Sequence, residues 1–184
     1  MRVFIGIKIS EPSQLSEIKT MINHSYSEHF KWVKKENLHL TLCFIGNISP
    51  MTLRVLNKNL KQSVSDYPNF NLKINGSDTF SKRHKKSILW LKVVPHKKLL
   101  HIQQNIAGLV TKLLPEHKEE YDSYTPHITI ARYKRNINIK KLMPELLSKH
   151  HSSIQNIKEI QLFESCSTPH GIEYRILESY KLNG

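Results

Sequence analysis

"ENLHLTLCFIG", residues 36–46, alternates like a strand with one buried face, yet places His39 and Thr41 two residues apart on the other face. Leu40, Leu42 and Phe44 fall on the apolar side, and His39, Thr41 and Cys43 on the polar one. "YTPHITIARYK", residues 124–134, repeats the pattern: His127, Thr129 and Ala131 are opposed by Ile128 and Ile130. The two His-x-Thr strands lie close to half the chain apart, so the spacing predicts two related lobes facing each other across a cleft.

The rest of the chain supports an interleaved α+β domain. "RVFIGIKI" at residues 2–9 reads as a strand, followed by Ser10-Glu11-Pro12 as the start of a helix reaching about Tyr26. "FKWVKKENLHLTLCFIG" predicts two extended pieces that break at Lys35–Asn37 and pair with each other antiparallel. Ser49-Pro50 is an N-cap and first-turn pair, opening a helix with Leu53, Leu56, Leu60 and Val64 on one face.

Short extended pieces are expected at 70–74 and 79–80, then a strand over 88–94 and a helix over 97–114 stopped by Pro115. A polar loop at 116–122 leads to the second motif, a fourth helix is expected over 140–150, and residues 157–166 and 172–180 form a closing hairpin. No linker divides the halves, so residues 1–184 read as one bilobal domain. The fold class expected is α+β: two antiparallel sheets with flanking helices, related by a pseudo-twofold duplication around a central cleft.

Composition narrows the partners. With 28 Lys+Arg against 15 Asp+Glu, the net charge is +13 with histidines neutral, a field that concentrates RNA, DNA and phosphorylated small molecules. Cys43 and Cys166 have neither CxxC nor Cys-His spacing, which excludes a disulfide framework or a zinc motif and fits a reducing cytoplasm. "MRVFIGIKIS" lacks a signal-peptide core and no apolar run suffices to span a bilayer, so a soluble intracellular protein, without membrane contact and monomeric, is expected.

Two imidazoles across a cleft suit cleavage of a phosphodiester. The reaction needs a base on the attacking oxygen and an acid on the leaving oxygen, on opposite sides of phosphorus, and imidazole titrates in the right range for either. Hydroxyls of Thr41 and Thr129 would donate to the non-bridging oxygens as charge develops. No carboxylate cluster accompanies them, so neither a metal nor another cofactor is expected. "SKRHKK", residues 81–86, reads as a solvated loop with RNA contact as the alternative, and Trp32 and Trp90 as core residues rather than base-stacking ones.

The pair of motifs, with "RVFIGI", "KWVKKENLHLTLCFIG", "ILWLKV", "YTPHITIARYK" and "LFESCSTPHGIEYRILESY" around them, resembles the 2H phosphoesterase superfamily over essentially the whole chain. Within it, the chain looks like the RNA 2′,3′-cyclic phosphodiesterases, also called 2′-5′ RNA ligase-like proteins. The resemblance implies a bilobal α+β fold and metal-free hydrolysis of 2′,3′-cyclic phosphate ends of RNA or nucleotides to 2′-phosphomonoesters. It makes His39 the proton donor and His127 the acceptor, and adds Arg132 as a phosphate contact, although simple alternation aims Arg132 away from His127. It also places Cys43 where many relatives carry a cleft-facing basic residue. The alternatives are a 2′-5′ oligonucleotide phosphodiesterase or ligase, and a non-catalytic RNA-binding module of the same fold.

Overall fold

The structure, a computed structural model, describes residues 1–80, 87–117, 123–133, 144, 152–169 and 171–184, apart from the side chains of residues 24 and 25. The 81–86 loop, most of the 116–122 loop and the expected fourth helix, save Pro144, lie outside the described residues.

Strands β1 (Arg2–Lys8), β2 (Phe30–Trp32), β3 (His39–Asn47), β4 (Phe70–Phe80), β5 (Ser87–Val93), β6 (His127–Tyr133), β7 (Ser152–Ile157), β8 (Glu159–Thr168) and β9 (Gly171–Lys181) join three helices, α1 (Gln14–Tyr26), α2 (Pro50–Val64) and α3 (Lys97–Leu113). The strands are antiparallel, in the order β7-β4-β5-β6-β3-β1-β8-β9, with β2 also on β6. The α+β class holds. The two separate sheets expected from the sequence are instead one nine-stranded sheet. Its two halves touch through a single ladder pair between β3 and β6, Leu40 with Ile128.

Several elements form for the reasons read in the sequence. Ser49 caps α2, its side chain accepting a hydrogen bond from the Thr52 N–H, and Leu56, Leu60 and Val64 are buried. α1 starts later than expected: the cap position is Ser13 and makes no side-chain bond. The two pieces expected near 70–80 are one strand, β4, with an irregularity around Gly76, whose φ of 82° suits glycine. β7, "SSIQNI", has no counterpart among the expected elements; it is an edge strand whose exposed residues outnumber its one fully buried position, Ile157.

The expected β2–β3 pair is also corrected. β2 pairs with β6, setting Phe30, Lys31 and Trp32 opposite Tyr133, Arg132 and Ala131, and Val33 N–H extends the ladder to the Ile130 carbonyl at 2.9 Å. The 3₁₀ turn at Lys35–Asn37 carries the chain from β2 on one half of the sheet to β3 on the other.

The core lies on one face of this sheet, where Ile5, Ile7, Leu40, Leu42, Ile128 and Ile130 pack with Leu56, Leu60, Ile102 and Ile106 of the helices. Burying apolar surface of this kind contributes roughly 25 cal/mol per Å². The opposite face carries the motif histidines and threonines.

Candidate active site

Both motif strands carry an extra residue at the same place. In β3, Thr41 faces Gly6 but Cys43 faces Ile5, so Leu42 has no partner in β1; in β6, Thr129 faces Trp90 but Ala131 faces Leu89, so Ile130 has no partner in β5. Each is the third residue after its histidine. The two segments share one burial pattern, with His and Thr half-buried, the two residues at the bulge buried and the next one half-buried. A bulge inserts one residue and reverses the alternation beyond it.

That reversal corrects two expectations. Arg132 comes onto the same face as His127 and Thr129, where plain alternation would have hidden it. Cys43 turns into the core, 4% exposed, and Phe44 takes the place on the histidine face. The Arg2 guanidinium lies 4.9 Å from the centre of the Phe44 ring.

The single bridge fixes how the motifs meet. Leu40 and Ile128 are the middle residues of the two His-x-Thr triplets, so antiparallel pairing sets the motif residues of one strand against those of the other on the open face. At Gly6, beside Thr41, a Cβ would lie 2.7 Å from the Leu40 carbonyl oxygen, so glycine lets β1 approach β3 here.

Each imidazole is held in the same way. His39 Nδ1 donates to the Asn37 carbonyl oxygen at 2.7 Å, and His127 Nδ1 donates to the Thr125 carbonyl oxygen at 2.8 Å. A carbonyl can only accept, so the Nδ1 atoms carry the hydrogens and the Nε2 atoms are free for proton transfer. Tyr124 donates from its hydroxyl to the Thr41 carbonyl at 3.1 Å, tying the approach to the second motif onto the first.

Aromatic rings wall both histidines. His39 packs on Phe4 at 4.8 Å between centroids and edge-on to Tyr174 at 4.7 Å, with Phe163 stacked behind Phe4. His127 meets Phe80 edge-on at 5.1 Å and Trp90 at 5.6 Å. Phe4, Phe163 and Trp90 are 2%, 3% and 5% exposed but stand apart from the main core cluster. Trp90 is buried, but beside His127 on the histidine face rather than in the core where the sequence placed it. Trp32 packs partly against the core and donates from its indole N–H to Asn23.

These surroundings disfavour the protonated form of both rings. Burial pushes His39 down to about 4, opposed by its bond to Asn37, with the charges of His127 and Arg132 lowering it further. Burial also lowers His127, opposed by its bond to Thr125. Among the described residues no three His, Cys, Asp or Glu side chains form a metal-binding group.

Asn37 does more than orient His39. Its side-chain Nδ2 donates to the Ile172 carbonyl at 2.9 Å and its Oδ1 accepts from the Tyr174 N–H at 3.1 Å, so it pins the strand that carries Tyr174 against His39. Nothing in the sequence marked Asn37, Phe4, Phe80, Phe163 or Tyr174 for the site. Asn37→Ala removes both bonds and is expected to lower stability by about 1–3 kcal/mol. An unchanged urea midpoint and slope would show that the clamp carries no weight.

The architecture and the paired motifs have counterparts. The model of the 2′-5′ RNA ligase superfamily matches residues 9–164. The chain belongs to this superfamily. Among relatives of the 2′-5′ RNA ligase superfamily, a Thermotoga maritima protein named RNA 2′,3′-cyclic phosphodiesterase is 25% identical over 188 residues, covering 100% of this chain and 97% of the relative. A protein of the same name from Aquifex aeolicus is 27% identical over 100% of this chain and 98% of its own length. Among solved structures, TT0787 of Thermus thermophilus superposes with a TM-score of 0.79 at 21% identity, covering 100% of this chain and 99% of the other. E. coli LigT, solved with 3′-AMP, gives 0.77 at 21% identity, covering 100% and 98%. At these identities the two structures show a shared fold. No helix among the described residues is long and apolar enough to cross a membrane.

Proposed function

We propose that the protein hydrolyses 2′,3′-cyclic phosphate ends of RNA, or of nucleotides, to 2′-phosphomonoesters by metal-independent acid–base catalysis. The observation that carries the reading is the single bridge at Leu40 and Ile128, whose antiparallel register sets His39 across from Thr129 and His127 across from Thr41, so that two imidazoles with free Nε2 atoms stand diagonally on the open face. The names of the full-length relatives supply the substrate class.

In this reading the phosphate lies between the two rings. His127 Nε2 takes a proton from water as its oxygen attacks phosphorus. The bond to the ribose 3′-oxygen breaks, the imidazolium form of His39, protonated on Nε2 as well as Nδ1, gives its Nε2 proton to that oxygen and returns to the neutral ring, and the 2′-phosphate remains. Thr41 and Thr129 donate to the non-bridging oxygens, and Arg132, brought round by the bulge, offers a guanidinium to the same charge. The matched bulges, burial patterns and carbonyl bonds support a pseudo-twofold relation between two lobes, with the reaction on their axis. A cytoplasmic location fits two cysteines with neither CxxC nor Cys-His spacing.

The depressed basicity of both rings has a consequence for pH. Catalysis needs one ring protonated and one neutral, so kcat/KM should follow a bell whose two macroscopic limbs belong to the free protein. Both limbs lie below the ordinary imidazole value of 6.5, because both rings resist protonation. The maximum is therefore expected on the acid side of 6.5, with a fall of about tenfold per pH unit once the higher limb is passed. The substrate brings a negative charge between the rings, which raises both and moves the kcat profile to higher pH than that of kcat/KM. A kcat/KM maximum above about pH 8 would contradict the paired-imidazole mechanism.

The direct test is incubation with adenosine 2′,3′-cyclic phosphate in EDTA, with the product identified by phosphorus NMR. Adenosine 2′-phosphate is the expected product. Mainly 3′-phosphate, or complete loss of turnover restored by one metal ion, would overturn the reading; binding without turnover would favour the RNA-binding module.

A further inference from the structure

The register of β2 on β6 places Lys31 directly opposite Arg132. Partners in an antiparallel pair share a face, and Phe30 opposite Tyr133, both buried, mark the core side, so Lys31 and Arg132 stand together on the face of the histidines. Like charges directly opposite are destabilising in a sheet. Some exposed cations are paired with carboxylates, Lys34 with Glu173 at 3.4 Å, Lys92 with Asp78 at 3.0 Å and Arg175 with Glu164 at 3.8 Å, whereas Lys31 and Arg132 are set against each other. Among the described residues no carboxylate forms an ion pair with Lys31 or Arg132.

The position of this pair is also informative. The Lys31 ammonium ends beside Gly171, at the start of β9, where a Cβ would lie 3.5 Å from Nζ. Lys31 therefore spans from β2, on one half of the sheet, to the strand that brings Tyr174 against His39 on the other. Arg132, across the ladder from Lys31, lies three residues beyond Thr129 on the same face as the motif residues, and its charge lowers the basicity of His39. Two uncompensated cations next to a phosphodiester site form a place for a second anion.

We propose that Lys31, with Arg132, forms a second phosphate subsite that receives the 5′-phosphate of the nucleotide carrying the cyclic phosphate, so that phosphorylated or internal RNA ends are preferred over a cyclic nucleoside with a free 5′-hydroxyl. The inference rests on the cyclic-phosphate reading for its substrate, but its binding arm is independent of catalysis. In the subsite Lys31 acts as a point charge, and Arg132 as a planar donor shared with the reacting phosphate.

The test compares binding of adenosine 2′,5′-bisphosphate and adenosine 2′-phosphate by calorimetry, alongside kcat/KM for adenosine 2′,3′-cyclic phosphate with and without a 5′-phosphate. The wild-type protein is expected to favour the 5′-phosphorylated member of each pair by about tenfold at low salt. Lys31→Met should lower both ratios severalfold and weaken the salt dependence of bisphosphate binding. Lys31→Arg should restore most of the preference. Equal affinity for the two ligands in the wild type, or an unchanged preference in Lys31→Met, would overturn the subsite. A binding preference that depends on Lys31, without hydrolysis of either cyclic compound, would leave the subsite standing and remove the reaction assigned above.

Discussion

His127→Ala is expected to lower kcat/KM on adenosine 2′,3′-cyclic phosphate by about 10²–10⁴-fold, and by a comparable factor on a nitrophenyl phosphodiester of the same nucleoside. The base activates water in both reactions, so the quality of the leaving group makes little difference to its loss. His39→Ala should lose as much on the cyclic phosphate, whose ribose oxygen is a poor leaving group, and recover a large part on the nitrophenyl ester, whose phenolate departs without a proton. The comparison needs kcat and KM separately, so that weaker binding is not mistaken for slower chemistry. The reverse pattern would exchange donor and acceptor, and undiminished turnover in both variants would remove the two-histidine mechanism.

Thr41→Val and Thr129→Val should each slow both substrates, by up to about 10²–10³-fold if the hydroxyl donates to a developing oxyanion. Valine has the same branched shape and favours strands equally well, so a threonine present only as a strand former would be replaced at little cost. Each of the two residues is half-buried on the histidine face, next to the bulge that begins at the following residue. Charge on the non-bridging oxygens does not depend on which group leaves, so the two substrates should suffer alike. Full activity in either variant would remove that threonine from the chemistry, and lost activity with a lowered melting temperature would assign it to the strand.

The motifs were readable because two chemical types recur at a spacing of two on an otherwise apolar strand, a local pattern that survives folding. His39, Thr41, His127 and Thr129 are found on one face, as alternation requires. Alternation failed one residue later, since Leu42 and Ile130 look like ordinary apolar positions and nothing in their identity announces an extra residue in the ladder. The side taken by Cys43 and Arg132 therefore depended on long-range register. The same limit hid the partner of β2, which lies far along the chain in β6, and β7, whose polar composition gives a weak strand signal. The aromatic walls were unreadable for a further reason: Phe4, Phe80, Trp90, Phe163 and Tyr174 come from separate strands and acquire a common role only when the sheet assembles around the histidines.

The lone ladder pair between β3 and β6 lies at the motifs themselves, so any rocking of one half of the sheet against the other would turn about that point. Rotation about a pivot displaces an atom in proportion to its distance from it, and the four motif residues are the immediate neighbours of Leu40 and Ile128. A rocking of one half against the other would therefore barely alter the gap between the two rings, while it would widen or narrow the separation of outlying groups such as Lys31 and Gly171. Under such a motion the reacting atoms would keep their spacing while the rim of the groove opened or closed, a division set by lever arm.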